Sequence, residues 1–163
     1  MKTTIRCSID YEELLLQAVA VLDRARTNMA RTLTSHVNNT YWELGKMLYE
    51  RKIDSIHGAN VVNRLSSDLK QRYPSMGFSP RQLWNMKKFY LRFYKSDSKL
   101  LQLVAVLPWG HILKLITDSS TKNNDEAILY YVNEAVQKGW SRELLTNAIK
   151  LKMYDSKRHY VQD

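Results

Sequence analysis

Apolar residues recur along most of the chain with spacings of three and four, the period of an α-helix that buries one side. No stretch shows the sustained two-residue alternation of a half-buried strand, and no Asn-Gly or Asp-Gly hairpin turn occurs. Most of the five glycines and three prolines lie where helices would end. The pattern therefore predicts an all-α fold.

The first third of the chain predicts one very long helix or two helices in series. Asp10 begins a capping-box-like pattern, so we expect a flexible N-terminus over residues 1–10 and a helix after it. The poor helix formers of residues 34–40 indicate a kink or a break, with segments at about 11–33 and 36–52. So long a helix cannot be buried fully against so small a domain, and we expect a homodimer through this N-terminal helix.

Two helices in the middle of the chain predict a helix-turn-helix at about residues 60–94. The strongest local signal is Ser79-Pro80-Arg81-Gln82, with an N-cap serine, a proline at the first helical position and a glutamine three residues after the cap. Further short helices are predicted up to about residue 150, followed by a polar C-terminal tail at 151–163. We therefore expect one helical domain over residues 11–150.

The positive charge is concentrated in the middle of the chain. The net charge is +9, and residues 51–99 hold eleven basic and three acidic side chains, a surplus of eight. The segments on either side are nearly neutral. Because a strongly basic region favours anionic partners, this imbalance indicates a nucleic acid.

The helix predicted after Ser79 carries cations on one face and apolar side chains on the other. Leu83, Met86, Tyr90 and Phe93 share the apolar face. No acidic residue occurs between Asp68 and Asp97. Arginine and lysine can neutralise phosphates, and arginine or asparagine can also contact base edges in a major groove. The candidate DNA-binding residues on this helix are Arg81, Asn85, Lys87, Lys88, Arg92 and Lys95. Additional phosphate contacts are predicted from Arg64, Lys70 and Arg72 on the preceding helix.

Residues suited to catalysis or metal binding are scattered. The four histidines have no metal-ligand spacing, and the single cysteine, Cys7, cannot form a zinc site alone. Asp-x-Lys occurs three times, but a metal-dependent nuclease core needs strands and further carboxylates. We therefore expect no enzymatic activity and no cofactor or metal. No apolar run is long enough to span a membrane and no signal peptide is recognisable, so we expect a cytoplasmic protein without a membrane partner.

Several stretches occur together in a characteristic order. They are Tyr41-Trp42-Glu43-Leu44-Gly45-Lys46, Leu65-Ser66-Ser67-Asp68-Leu69-Lys70, Gly77-Phe78-Ser79-Pro80-Arg81-Gln82-Leu83, Met86-Lys87-Lys88-Phe89-Tyr90, Leu107-Pro108-Trp109-Gly110-His111 and Gly139-Trp140-Ser141-Arg142. This ordered set resembles the N-terminal domain of the YhcG-like family of predicted nucleases. The resemblance covers roughly residues 15–150.

The resemblance implies a helical, helix-turn-helix-type DNA-binding unit whose basic helix maps onto Arg81, Lys87 and Lys88. In that family the unit usually precedes a PD-(D/E)XK nuclease domain, and members are often linked to bacterial restriction or mobile-element systems. No strand-rich segment remains here for such a domain, so nuclease activity is not carried over. The chain is then a stand-alone domain or part of a longer product.

These observations predict a non-catalytic domain that binds duplex DNA. The alternative is a protein-interaction or dimerisation module that positions a partner nuclease or restriction-modification enzyme. RNA remains open as a ligand, because a basic helix can serve either polymer.

Overall fold

The computed structural model describes residues 2–161, with side chains for residues 11–160. All regular structure in this range is helical, which confirms the predicted all-α fold. The helices are α1 (Lys2–Glu50), α2 (Ala59–Arg72), α3 (Pro80–Phe93), α4 (Ser98–Ala105), α5 (Trp109–Thr117), α6 (Asp125–Lys138), α7 (Arg142–Lys150) and α8 (Met153–Val161).

Helix α1 is continuous, so the first of the two interpretations of the N-terminal third is confirmed. It starts at Lys2 and passes through Asp10, which is therefore not an N-cap. The predicted break at residues 34–40 does not occur. Threonine hydroxyls there bond to carbonyls one turn back, as Thr34 Oγ1 does to Ala30 O at 3.0 Å. Asn38 is buried and donates two hydrogen bonds to the end of α4, so tertiary contacts outweigh its low helix propensity.

The two halves of α1 differ in their surroundings. Every residue from 11 to 33 is exposed, whereas the C-terminal half packs lengthwise against α3. The two helices lie in close contact at Gly45, where a Cβ atom would lie 2.1 Å from the carbonyl oxygen of Met86. Only a residue without a side chain can be accommodated at this crossing.

The buried side chains form two clusters that flank α3. The smaller cluster joins α1, α2 and α3 and includes Leu48, Val62 and Leu83. The larger cluster joins α3 to the helices that follow it and includes Phe89 and Phe93. Since α3 contributes to both clusters, it is fixed in place from several sides at once, which suits a helix that positions a functional surface.

Several helix ends are fixed by capping interactions, among them the predicted start of α3. Ser79 caps α3 by accepting from the N–H of Gln82 at 3.2 Å, and Pro80 occupies the first turn. Ser141 caps α7 in the same way through the N–H of Leu144. Gly139 ends α6 with φ +62, a left-handed conformation that glycine adopts without strain.

The C-terminal segment is helical over residues 153–161, where we predicted a polar tail. Helix α8 is held against α6 through Tyr154, whose N–H donates to the Tyr131 hydroxyl and whose own hydroxyl donates to Glu126. Met153 also packs on the larger cluster. The anchoring residues are followed by exposed polar residues, so the sequence pattern of this segment does not predict a packed helix. Residues 162 and 163 lie outside the described range.

Candidate nucleic-acid interface

Helix α3 has the two faces that the sequence predicts. Leu83, Met86, Tyr90 and Phe93 are all buried, which confirms the apolar face. Phe89 is buried with them. The burial of five side chains on one side leaves the opposite side, which includes Arg81 and Lys88, directed to solvent.

The exposed side of α3 forms one wall of an open groove. Helices α5 and α7 contribute to the rest of it, and its volume is about 980 Å³. The apolar parts of the lining include Trp84, Leu91 and Leu113. The charged lining consists of five cations and one carboxylate, namely Arg81, Lys87, Lys88, Lys114, Arg142 and Asp54. The surface is thus concave and basic.

Arg81 and Lys88 lie on the α3 wall with Asn85 between them. Both cations are exposed, and neither belongs to an ion pair among the residues whose side chains are described. Asn85 is half-buried and lines the groove with them. The spacing of four and three residues places the three side chains along one helical stripe. All three side chains therefore line the same side of the groove.

Arg142 extends the basic surface onto α7. Its position follows from the Ser141 cap, which places it in the first turn of the helix. Its side chain runs across Gly110 at the start of α5, where an added Cβ would lie 3.2 Å from the Arg142 Cδ atom. Arg142 is exposed and without a carboxylate partner in the described part of the chain. We did not predict it as a site residue, although it ends the Gly139-Trp140-Ser141-Arg142 stretch that contributes to the family resemblance.

Two carboxylates reduce the positive charge around the groove. Asp118 pairs with Lys114 at 3.1 Å. The Ser120 hydroxyl lowers the pKa of Asp118, and Lys114 adds to the effect. The backbone N–H of His57 lowers the pKa of Asp54 below its usual value. Both acids are therefore ionised at neutral pH, so Lys114 is largely neutralised.

Lys87 has a structural role that the sequence did not reveal. Its Nζ atom donates to the carbonyl of Ile53, just beyond the end of α1, at 2.5 Å. The ammonium also lies 5.8 Å from the centre of the Trp84 ring. Lys87 therefore ties α3 to the segment after α1, and only part of its charge is available to a ligand.

Arg92 is not the unpaired cation that the helical wheel predicts. Its Nη2 atom pairs with Asp125 at 2.5 Å, and its Nε atom donates to the carbonyl of Lys122. Only 17% of its side chain is exposed. A carboxylate from α6, distant in sequence, thus neutralises it. Arg92 is therefore not part of the basic groove.

The other predicted cations lie outside the groove. Lys95 is exposed, but its ammonium lies over the ring of Tyr94, 5.4 Å from the ring centre. Arg64, Lys70 and Arg72 are exposed on α2 and do not line the groove. The structure does not bring them together with Arg81 and Lys88, and their phosphate contacts remain predictions.

The pair α2 and α3 is held by the turn between them. The buried hydroxyl of Ser66 donates to the carbonyl of Phe78 at 2.7 Å, which fixes the turn against α2. However, α3 packs more extensively on α1 than on α2. The packing of α3 is therefore not determined mainly by α2, and a helix-turn-helix function for the pair stays a prediction. The groove that α3 forms with α5 and α7 is the better-defined surface.

Two classes of feature are not found in the described residues. No group of three or more His, Cys, Asp or Glu side chains within the described part of the chain is placed to hold a metal ion. Among the helices between residues 2 and 161, none is both long enough and apolar enough to cross a lipid bilayer.

The fold and the groove define a helical domain with a basic concave surface. A family model described as the DUF1016 N-terminal domain matches residues 17–156, so the chain belongs to this family and its predicted resemblance is confirmed. It is similar to an Escherichia coli (strain K12) protein described as "Putative nuclease YhcG", with 27% identity over 177 residues. That alignment covers 89% of this chain and 46% of the relative, so the chain spans less than half of the relative's length. No solved structure matches.

Proposed function

We propose that this domain binds duplex DNA through the groove between α3, α5 and α7, and that it does so without catalysing a reaction itself. The observation that supports the proposal most strongly is the convergence of Arg81, Lys88 and Arg142 on one groove, from two different helices. None of the three is neutralised by a carboxylate in the described part of the chain. A stable fold does not require three unpaired cations around one groove.

The expected affinity is mainly electrostatic. Each phosphate that a protein neutralises contributes about −0.9 to the slope of log K against log salt concentration for duplex DNA. Three engaged cations therefore give a slope of about −2.7. A domain with so few contacts binds weakly alone, and two linked copies would gain from multivalency.

Base contacts are a smaller part of the proposal. Arg81 and Asn85 are in the first two turns of α3, the part of a recognition helix that usually approaches base edges. Arginine pairs with guanine and asparagine with adenine in the major groove of B-form DNA. The deep, narrow major groove of an RNA duplex does not admit side chains in this way, which favours DNA as the ligand.

The family gives the proposal its context. The E. coli relative is described as a "Putative nuclease", and this chain matches less than half of it. We propose that the domain brings a nuclease or a restriction-modification enzyme to DNA, in the same chain or in a separate subunit. The catalytic groups would then lie outside residues 17–156.

A binding titration with charge-reversed variants tests the proposal. Fluorescence anisotropy would compare labelled duplex DNA, single-stranded DNA and RNA at low and moderate salt. Arg81→Glu with Lys88→Glu is expected to abolish duplex binding with an unchanged circular dichroism spectrum, since both side chains are exposed. Lys99→Glu with Lys150→Glu is the matched control, because both lysines are exposed and outside the groove. Equal loss in the two double variants, or tighter binding of RNA than of duplex DNA, would contradict the proposal.

The second candidate is a protein-interaction module that positions a nuclease partner. The exposed apolar residues of α1, among them Leu14, Leu16 and Leu22, favour it. In this case a nuclease subunit would be captured in the absence of DNA, and capture would be lost on substitution in α1 but not in the groove.

A further inference from the structure

The N-terminal half of α1 exposes far more apolar surface than is usual for a helix that remains in contact with water. Leu14 is 61% exposed, Leu16 71% and Leu22 67%, and the shorter apolar residues between them are exposed as well. Contiguous apolar surface of this kind usually marks an interaction site. A helix that is apolar on most sides is normally buried by other helices.

One stripe on this helix has the spacing of a coiled-coil seam. Its members follow one another at intervals of four, three, four, three and four residues, as the a and d positions of a heptad do. All of them are exposed in the single chain. The stripe consists of Tyr11, Leu15, Ala18, Leu22, Ala25 and Met29.

Charge is distributed along the same helix in two halves of opposite sign. Residues 11–22 contain two glutamates and no cation, a net charge of −2. Residues 23–34 contain three arginines and one aspartate, a net charge of +2. Parallel pairing of two copies would place like charges side by side. Antiparallel pairing would place each acidic half against a basic half.

We propose that two copies of this chain pair through residues 11–29 of α1 as an antiparallel coiled coil, with the twofold axis near residue 20. In the central layers of this register each leucine of the seam faces an alanine, which fills the space between the helices evenly. The facing pairs are Leu15 with Ala25, Ala18 with Leu22, and Tyr11 with Met29, each made twice.

The same register places the flanking side chains in complementary pairs. Glu12 and Arg26 both occupy e positions, and in an antiparallel coiled coil the e positions of the two helices face each other. Glu12 of each copy therefore meets Arg26 of the other, in the gap between two layers of the seam. Val19 and Val21 meet their own equivalents at the twofold axis, as a self-complementary interface requires. One choice of register thus satisfies the seam, the charges and the symmetry.

The seam ends at Met29, before α1 becomes buried in the globular part of its own chain. Asn38, which is buried where α1 packs against α4, is 18 residues from the proposed axis, or about 27 Å along the helix. The two domains would extend from opposite ends of the paired helices. The proposal does not depend on DNA binding, since the interface and the groove share no residue.

Sedimentation velocity on the full chain, at about 5 and about 50 µM, tests the assembly. We expect twice the chain mass of 19.2 kDa at the higher concentration. Leu22→Asp is expected to leave a monomer with unchanged helical content, because the side chain is exposed in the single chain. A monomeric wild-type chain at both concentrations would overturn the proposal.

Charge exchange tests the register. Glu12→Arg is expected to weaken the dimer, because two arginines then face each other, and adding Arg26→Glu is expected to restore it. Glu13→Arg is the matched control, since its f position points away from the seam and the same charge change there should have little effect. Failure of the double exchange to restore the dimer would overturn the antiparallel register.

A distance measurement tests the orientation independently. With Cys7 replaced by serine and a spin label at Thr34→Cys, antiparallel pairing separates the two labels by about 42 Å along the axis. Parallel pairing places them at the same level. Electron-electron double resonance distinguishes the two, and a short distance would overturn the proposal even for a dimeric chain.

Discussion

Replacing Gly45 by alanine tests the packing that holds α3, and with it the basic groove, in position. The new Cβ would lie 2.1 Å from the oxygen and 2.6 Å from the carbon of the Met86 carbonyl. Both are backbone atoms inside a helix that packs on several sides, so they cannot move aside as a flexible side chain would. Helices α1 and α3 must separate, which opens the smaller cluster around Leu83 and Met86.

The expected magnitude follows from two opposing terms. Alanine stabilises a helix by about 1 kcal/mol relative to glycine, while overpacking in a well-packed core costs up to about 3 kcal/mol. The net loss is therefore up to about 2 kcal/mol, equivalent to a decrease in Tm of up to about 4–8 °C for a domain of this size. Thermal unfolding followed by circular dichroism measures it.

The control is Gly77→Ala, which introduces the same methyl group in a turn where no other atom lies within 4 Å. Gly77 has no positive φ, so alanine is accommodated there without backbone strain. We expect the Tm of this variant to equal or slightly exceed that of the wild type. A Gly45→Ala variant that melts at or above the wild-type temperature would refute the close crossing of α1 and α3.

Three further predictions follow from the contacts around the groove. Lys87→Met should lower the free energy of unfolding by about 1–2 kcal/mol, since the Ile53 carbonyl loses a charged donor. Lys88→Met should leave the Tm unchanged and weaken DNA binding. The opposite results in thermal melting and fluorescence anisotropy would exchange the roles assigned to the two lysines. Arg92→Gln should retain DNA affinity. In a double-mutant cycle its effect on the free energy of unfolding should be non-additive with that of Asp125→Asn, because the two side chains form an ion pair. Additive effects would mean that this ion pair does not form. Because the pKa of Asp118 is lowered in the folded chain, its contribution to stability is present above the ordinary value of 3.8 and is lost as the pH falls through the folded value. Asp118→Asn should therefore flatten the decrease in Tm at acidic pH, and an unchanged pH profile would count against this assignment.

Sequence reasoning predicted local features well where one residue type has one dominant use. Ser79 followed by Pro80 is a strong helix-start signal, and α3 begins there. The spacing of the apolar residues correctly predicted which face of α3 is buried, namely that of Leu83, Met86, Tyr90 and Phe93. The local signal was misleading at residues 34–40. There the two hydrogen bonds of Asn38 to the end of α4 stabilise a helix that propensity disfavours, and both acceptors lie more than sixty residues away.

The composition of the candidate site was predicted only in part, for a similar reason. The spacing of residues along one helix shows which cations share a face. It does not show which groups from other helices contact those cations. Asp125 on α6 neutralises Arg92, and the Ile53 carbonyl holds Lys87, and neither partner could be inferred from the spacing along α3. Arg142 was missed because it reaches the groove from α7. Only the positions of helices relative to one another determine such contacts.

The salt dependence of duplex DNA binding tests the central proposal most directly. We expect the slope of log K against log salt concentration to be about −2.7 for the wild type. It should become less steep by about 0.9 in each of Arg81→Gln, Lys88→Gln and Arg142→Gln, because each substitution removes one phosphate contact. Wild-type binding that does not depend on salt, or a slope that is the same in all three variants as in the wild type, would contradict the assignment of this groove as the DNA-binding surface.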